Sequence, residues 1–260
     1  MCEIWSIQTA FPKIIETAAS QVPRGNTCRG VNERIGQIFE KRDWNLNGKD
    51  FLDLACGEGE FLRYLAVKYP EVRAKGADRQ FFCDNQRSPP IAKANLEEPF
   101  RVFEQICFDF VICISGVMEF DNTLQFFRCC REHLKPGGYF LVTNDNVATV
   151  RDRLTFFFCG KPRQFPLFTQ PGQATWKILH IQNMVRNLLE AGFRIDEIHY
   201  TPVFRKDLLF IPIALIIYLW QEKIVMNSTH GAPSPWGRMM YPFSSLISRH
   251  YIIVCQNPQH

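Results

Sequence analysis

Phe51 to Phe61 reads FLDLACGEGEF: an apolar run closing on Asp53, then Ala55, Gly57 and Gly59. Small residues let a backbone turn tightly into a helix, and the exposed N–H groups of a helix start favour negative charge. Asp53 sits just before that turn, where a carboxylate repels phosphates and welcomes a cation. A ligand carrying both an ammonium and a carboxylate satisfies both demands, and S-adenosylmethionine has them together with a sulfonium. A second acid, Asp78, closes the next apolar segment and is placed to accept hydrogen bonds from ribose hydroxyls. The glycine-rich loop alone leaves a nicotinamide dinucleotide open, although such a site favours GxGxxG.

Helix and strand patterns alternate from residue 31 onward and must hold these groups. VNERIGQIFEKRDW places Val31, Ile35, Ile38 and Phe39 on one helical face, and FLDLA has the continuous apolar character of a strand buried on both sides. GEGEFLRYLAVKYP predicts a helix ended by Pro70, VRAKGAD a strand, Ile91 to Ala94 a short strand, and FDFVICIS a buried strand. TLQFFRCCREHLK predicts a helix terminated by Pro136, Gly137 and Gly138, followed by the strand YFLVTND. IQNMVRNLLEAG, FRIDEIHY and HYIIVCQ predict one more helix and two more strands. Such alternation indicates a mostly parallel sheet covered on both faces, with ligands beyond the carboxyl ends of its strands.

Three segments in order resemble the class I S-adenosylmethionine-dependent methyltransferases, of the type 11/23-like superfamily. FLDLACGEGEF resembles their first motif, and FDFVICISGVMEF and REHLKPGGYFLVTND resemble their fourth-strand and fifth-strand motifs. The resemblance implies an α/β, Rossmann-like, doubly wound seven-stranded sheet, mostly parallel with an antiparallel last strand, and S-adenosylmethionine as cofactor. It implies that Asp53, Ala55, Cys56, Gly57 and Gly59 surround the methionine moiety. Asp78 then holds the ribose and Arg79 the adenine edge, Asn95 and Leu96 contact the adenine, and Ile114 and Ser115 line the pocket below the sulfonium. Ala55 stands where the family usually has its first glycine, Asn95 where it has an aspartate, and Phe120 where some members carry a histidine base. No base is evident in consequence, and Glu119, Asp145, Asn146 and His230 are the candidates by presumed position. No metal site is expected.

With 260 residues, 46% of them hydrophobic, the chain suits one large domain. Residues 1–30 are expected to form an N-terminal lid and residues 31–260 a single domain, with insertions at 146–178 and 201–249, the second covering the substrate. Residues 1–150 hold 18 basic against 20 acidic side chains and residues 151–260 hold 12 against 6, an unevenness that most simply describes a solvated face. The 10 cysteines form no CxxC pair and point to a reducing, cytoplasmic setting. Leu208 to Trp220, LLFIPIALIIYLW, would span about 20 Å as a helix, less than the roughly 30 Å of a bilayer core, and is interrupted by Pro212. It is expected as a core helix, with a substrate wall, a peripheral membrane contact or a dimer contact as the other readings. Nucleic acid is not expected, since the place after the fourth strand reads SGVM rather than an NPPY-type tetrapeptide.

The acceptor is therefore expected to be a small molecule of sugar, lipid-linked or natural-product type. A methyltransferase-like partner without activity, or a nicotinamide-dependent oxidoreductase, are the competing readings.

Overall fold

The apolar run that closes on Asp53 is strand β1, Asp50–Leu54, and its alternating side chains already divide the interior in two. Leu52 and Leu54 join one apolar cluster and Phe51 the other, all fully buried. A computed structural model describes residues 22–80, 89–163, 165, 168, 177–226 and 235–259 of the chain.

Around β1 lie β2 (Arg73–Asp78), β3 (Ile91–Lys93), β4 (Phe108–Cys113), β5 (Leu134–Asp145), β6 (Arg194–Tyr200) and β7 (His250–Gln256). Their order across the sheet is β3-β2-β1-β4-β5-β7-β6. β1 to β5 pair in parallel, and β7 runs antiparallel to both β5 and β6, as the sequence led us to expect. Strand order reverses beside β1, so the crevice between the ends of β1 and β4 is where a ligand fits.

The helices are α1 (Val31–Lys41), α2 (Glu60–Lys68), α3 (Thr123–Glu132), α4 (Val150–Cys159), α5 (Ile181–Glu190), α6 (Ile211–Met226) and α7 (Pro235–Met240). Val31, Ile35, Ile38 and Phe39 of α1 pack with α2 on one face of the sheet, while α3 and α5 cover the other. Adjacent Cys129 and Cys130 are both buried because α3 is flanked by the sheet and by α5.

Two expectations about breakers are corrected. α3 ends at Glu132, and the KPGG segment lies inside β5: Phe108 pairs with Leu134 and Phe110 with Tyr139, so Lys135 to Gly138 bulge opposite Asp109 alone. The bulge puts the Lys135 ammonium between the carboxylates of Asp50 and Asp109, at 2.9 and 2.8 Å. Pro212 does not interrupt an apolar helix; it lies in the first turn of α6, where its missing N–H costs nothing.

α6 is not a core helix either. Ala214 is fully buried against Val150, Leu246 and Ile247, but Leu209 just before it and Ile216, Leu219 and Trp220 on it are well exposed, Leu209 at 82%. Among the described residues no helix is long and apolar enough to cross a membrane.

Candidate functional site

A cavity of about 470 Å³ opens at the carboxyl ends of β1, β2 and β4, a volume suited to one small ligand. Ten of the eleven expected cofactor residues line it: Asp53, Ala55, Cys56, Gly57, Asp78, Arg79, Asn95, Leu96, Ile114 and Ser115. Gly59 does not. It is the N-cap of α2 with φ 72°, a left-handed value that suits glycine, so it shapes the turn and leaves the contact to its neighbours.

Asp53 is 2% exposed, and its Oδ1 has no hydrogen-bond partner. Burial pushes its carboxyl well above the usual carboxylate range, and the charge of Asp78 adds to the effect. An unpaired buried acceptor is costly. An ammonium placed against it would supply the missing donor and restore the ionised form, so the cradle fits the methionine end of S-adenosylmethionine. The same burial, with Asp53 and Asp78 beside it, pushes the Cys56 thiol up and leaves it no thiolate character.

The turn is locked from β2. Ala55 and Cys56 N–H both donate to the Ala77 carbonyl, at 2.8 and 3.3 Å, and Gly57 N–H donates to Asp78 Oδ2 at 2.9 Å. Gln80 N–H donates to the other oxygen, Asp78 Oδ1, at 3.0 Å. Both oxygens of Asp78 are thus oriented, and each retains a lone pair for a ribose hydroxyl. Ala55 adopts φ 59°, and a Cβ on Gly116 would lie 2.6 Å from the Ala55 Cβ. The methyl group at the family's usual glycine position is therefore accommodated by a glycine across the crevice.

Asn95 is more occupied than expected. Its Oδ1 accepts from Glu97 N–H at 3.2 Å and its Nδ2 donates to Glu98 at 2.9 Å, so it builds its own turn and offers adenine only the second lone pair of its oxygen. Arg79 reaches toward Glu119 at 3.6 Å, linking the β2 and β4 sides of the cavity.

The four catalytic candidates separate. Glu119 lines the cavity from the 3₁₀ turn Val117–Glu119. Asn146 is 2% exposed and holds the Ser245 and Ser248 carbonyls at 2.7 Å each, a tether between the end of β5 and the chain before β7 rather than a base. His230 lies outside the described residues. Asp145 does not line the cavity; it accepts from His250 Nδ1 at 3.1 Å.

Behind the cavity wall, His250 Nε2 contacts Thr143 Oγ1 at 3.1 Å and Ser115 Oγ at 3.3 Å, and Ser115 Oγ meets Thr27 Oγ1 at 2.5 Å. Neither Thr27 nor His250 was expected from the sequence. Thr27 and Ser115 are 88 residues apart and His250 is 135 from Ser115, so no local pattern joins them. The cavity wall also takes Gly25, Asn26 and Asn32 from the N-terminal segment. Among the described residues, none of the 201–249 segment, expected to cover the substrate, lines this cavity. The segment's buried apolar side chains Ala214, Leu246 and Ile247 pack on Val150 and on one another. Among the described residues no cluster of His, Cys, Asp or Glu could hold a metal ion.

Residues 26–198 match the model of a family described as a methyltransferase domain. No curated protein matches the chain. Solved structures that share the fold include three methyltransferases. A methyltransferase dependent on S-adenosylmethionine from Archaeoglobus fulgidus is 17% identical with a TM-score of 0.51, covering 88% of this chain and 95% of its own. Another from Clostridium acetobutylicum is 12% identical, TM-score 0.54, covering 95% and 99%. Phosphoethanolamine N-methyltransferase 2 of Haemonchus contortus, solved with S-adenosyl-L-methionine, is 14% identical, TM-score 0.53, covering 97% of this chain and 59% of its own.

Proposed function

Because the chain belongs to the methyltransferase-domain family that its residues 26–198 match, and is an enzyme that uses S-adenosylmethionine, we propose that its acceptor is a hydroxyl of a small polar molecule. The cofactor supplies an electrophilic methyl group on sulfur. Strand order sets the order of chemistry across the cavity: Asn95 after β3, Asp78 on β2, Asp53 on β1, then Ile114 and Ser115 after β4. With adenosine at Asp78 and the amino acid at Asp53, the reacting end faces β4 and the N-terminal segment.

The observation that carries the reading is the pair of hydroxyls, Thr27 and Ser115, 2.5 Å apart, in a cavity whose wall also takes Asn26, Asn32 and Glu119. Hydroxyls and amides suit a polar acceptor better than an apolar one. The cavity volume is largely taken by the cofactor, so the acceptor is small or presents one end. A sugar-type or hydroxylated natural-product acceptor meets both conditions.

The chain's residues then have three tasks. Asp53 and Asp78 fix the donor, the lining of the β4 end aligns the acceptor oxygen behind the methyl, and Leu96 and Phe120 help keep water out. Alignment and water exclusion carry much of the rate in a displacement of this kind. An inactive partner protein has no use for an orphaned carboxylate oxygen in a ready cradle, which favours an enzyme. The eight free cysteines among the described residues support a reducing, cytoplasmic compartment.

The test is to incubate the full chain with S-adenosylmethionine and a panel of monosaccharides, glycosides and catechols, alongside their amino analogues, and to identify the methylated atom by mass spectrometry and NMR. Methylation at oxygen is the expected outcome. Methylation of the amines with the hydroxyl compounds untouched would contradict the reading.

A further inference from the structure

We propose that the hydroxyl proton leaves the site through a relay of Thr27 and Ser115 to the His250–Asp145 pair, with His250 Nε2 as the final acceptor. This rests on the hydroxyl reading above and names the base that the candidate residues alone did not supply.

The geometry gives each atom a role. Asp145 and His250 are direct register partners at the end of the β5–β7 ladder. A carboxylate can only accept, so the His250 Nδ1 at 3.1 Å carries the hydrogen and donates to Asp145. Nε2 of the neutral ring is then a lone pair, and it faces two hydroxyls, Thr143 Oγ1 and Ser115 Oγ. Thr143 Oγ1 also accepts from Ser115 N–H at 2.9 Å and so fixes the residue it stands behind. From Ser115 Oγ the chain of hydroxyls continues to Thr27 Oγ1, and both of these residues line the cavity. The ring is 1% exposed, out of reach of the acceptor itself, so a proton can reach it only through the hydroxyls.

Ser115 adds a second mark. Its φ of 55° is left-handed, a conformation that costs a non-glycine residue about 1 kcal/mol or more, and such outliers concentrate at functional positions. Plain stitching of three strand ends would not require a strained residue whose side chain lines a cavity.

The step balances. As the acceptor oxygen bonds the methyl carbon, the carbon–sulfur bond breaks and its electron pair stays on sulfur, leaving a neutral thioether. The acceptor proton passes to Thr27 Oγ1, the Thr27 proton to Ser115 Oγ, and the Ser115 proton to His250 Nε2. The imidazolium so formed is held by the Asp145 carboxylate. Other ionisable groups face this pair. Cys28 comes from the N-terminal segment, with Arg24 and Arg163 near it, and Tyr251 and Arg249 come from the β7 side. Arg249 is itself bound to Asp207, at 2.5 and 2.9 Å, which leaves Asp145 as the carboxylate on the ring.

With the hydroxyl panel as acceptor, Thr27→Val should lower kcat about 100-fold at unchanged KM for S-adenosylmethionine, the size general-base assistance commonly reaches. Thr27→Ser should restore it, and His250→Gln should remove the acid limb of the kcat/KM profile. Unchanged rates and an unchanged profile in these variants would overturn the relay while leaving the hydroxyl reading standing. A full chain that methylates no hydroxyl in the panel overturns that reading, and the relay with it. The wild-type protein gives a check independent of acceptor and of variant folding: nitrogen-15 NMR of the neutral His250 ring should show hydrogen on Nδ1. Hydrogen on Nε2 would overturn the relay, since that nitrogen would then have no lone pair to offer.

Discussion

Ala55 and Gly116 show how one irregular residue is made workable by another. The Ala55 methyl occupies the space a side chain at Gly116 would take, and Gly116 has φ −97°, a value any residue can adopt. Gly116→Ala is therefore a pure test of contact: the new Cβ would also stand 3.2 Å from Cys113 Sγ, and overpacking of this kind costs about 1–3 kcal/mol. Adding Ala55→Gly should recover most of that loss, and thermal melts of the two single variants and the double variant read the coupling directly. Additive losses would mean that the two residues do not share the space. This pair also marks what was legible at the residue scale. Asp53, Asp78 and the loop between them stand out because one continuous strand-turn-helix-strand run, from β1 to the end of β2, carries them. Thr27 and His250 gave no signal, because their meaning lies in partners supplied by remote strands.

Elements were legible where periodicity and burial agree, and misread where a breaker has two uses. Pro136, Gly137 and Gly138 announce an interruption, but sequence alone does not say whether it falls before a strand or inside one. The Asp109 and Asp50 carboxylates that hold Lys135 decide for the bulge. The same junction fixes His133, the C-cap of α3, which is 1% exposed. Its Nε2 accepts from Val102 N–H at 3.0 Å, so its Nδ1 donates to the Cys129 carbonyl at 2.7 Å, and the ring is held neutral. Burial pulls its pKa below the ordinary 6.5. The unfolded chain thus takes up a proton at a higher pH than the folded one. Stability contributed by the neutral ring is complete above about 6.5 and is lost as pH falls below it, by at most about 1.4 kcal/mol per unit for one proton. His133→Gln, which can make both hydrogen bonds without titrating, should flatten the denaturation midpoint against pH between 6.5 and the acid limit of the fold. An unchanged slope would place the acid sensitivity elsewhere.

At the scale of the whole molecule, a sheet that reverses its strand order beside β1 brings five separate chain segments to one cavity. The family, the cofactor and the sheet follow from residues close together in sequence, whereas the proposed acceptor end depends on residues 25–32 meeting the end of β4. The central claim is that this cavity is an S-adenosylmethionine site organised on Asp53. Calorimetry of the full chain with S-adenosylmethionine, S-adenosylhomocysteine and NAD, repeated on Asp53→Asn, tests it most directly. The account predicts that the first two bind and NAD does not. It also predicts that Asp53→Asn weakens both by about 30-fold or more, the cost of removing one partner of a buried ion pair. Absence of binding to the first two, or equal affinity in the variant, would contradict it.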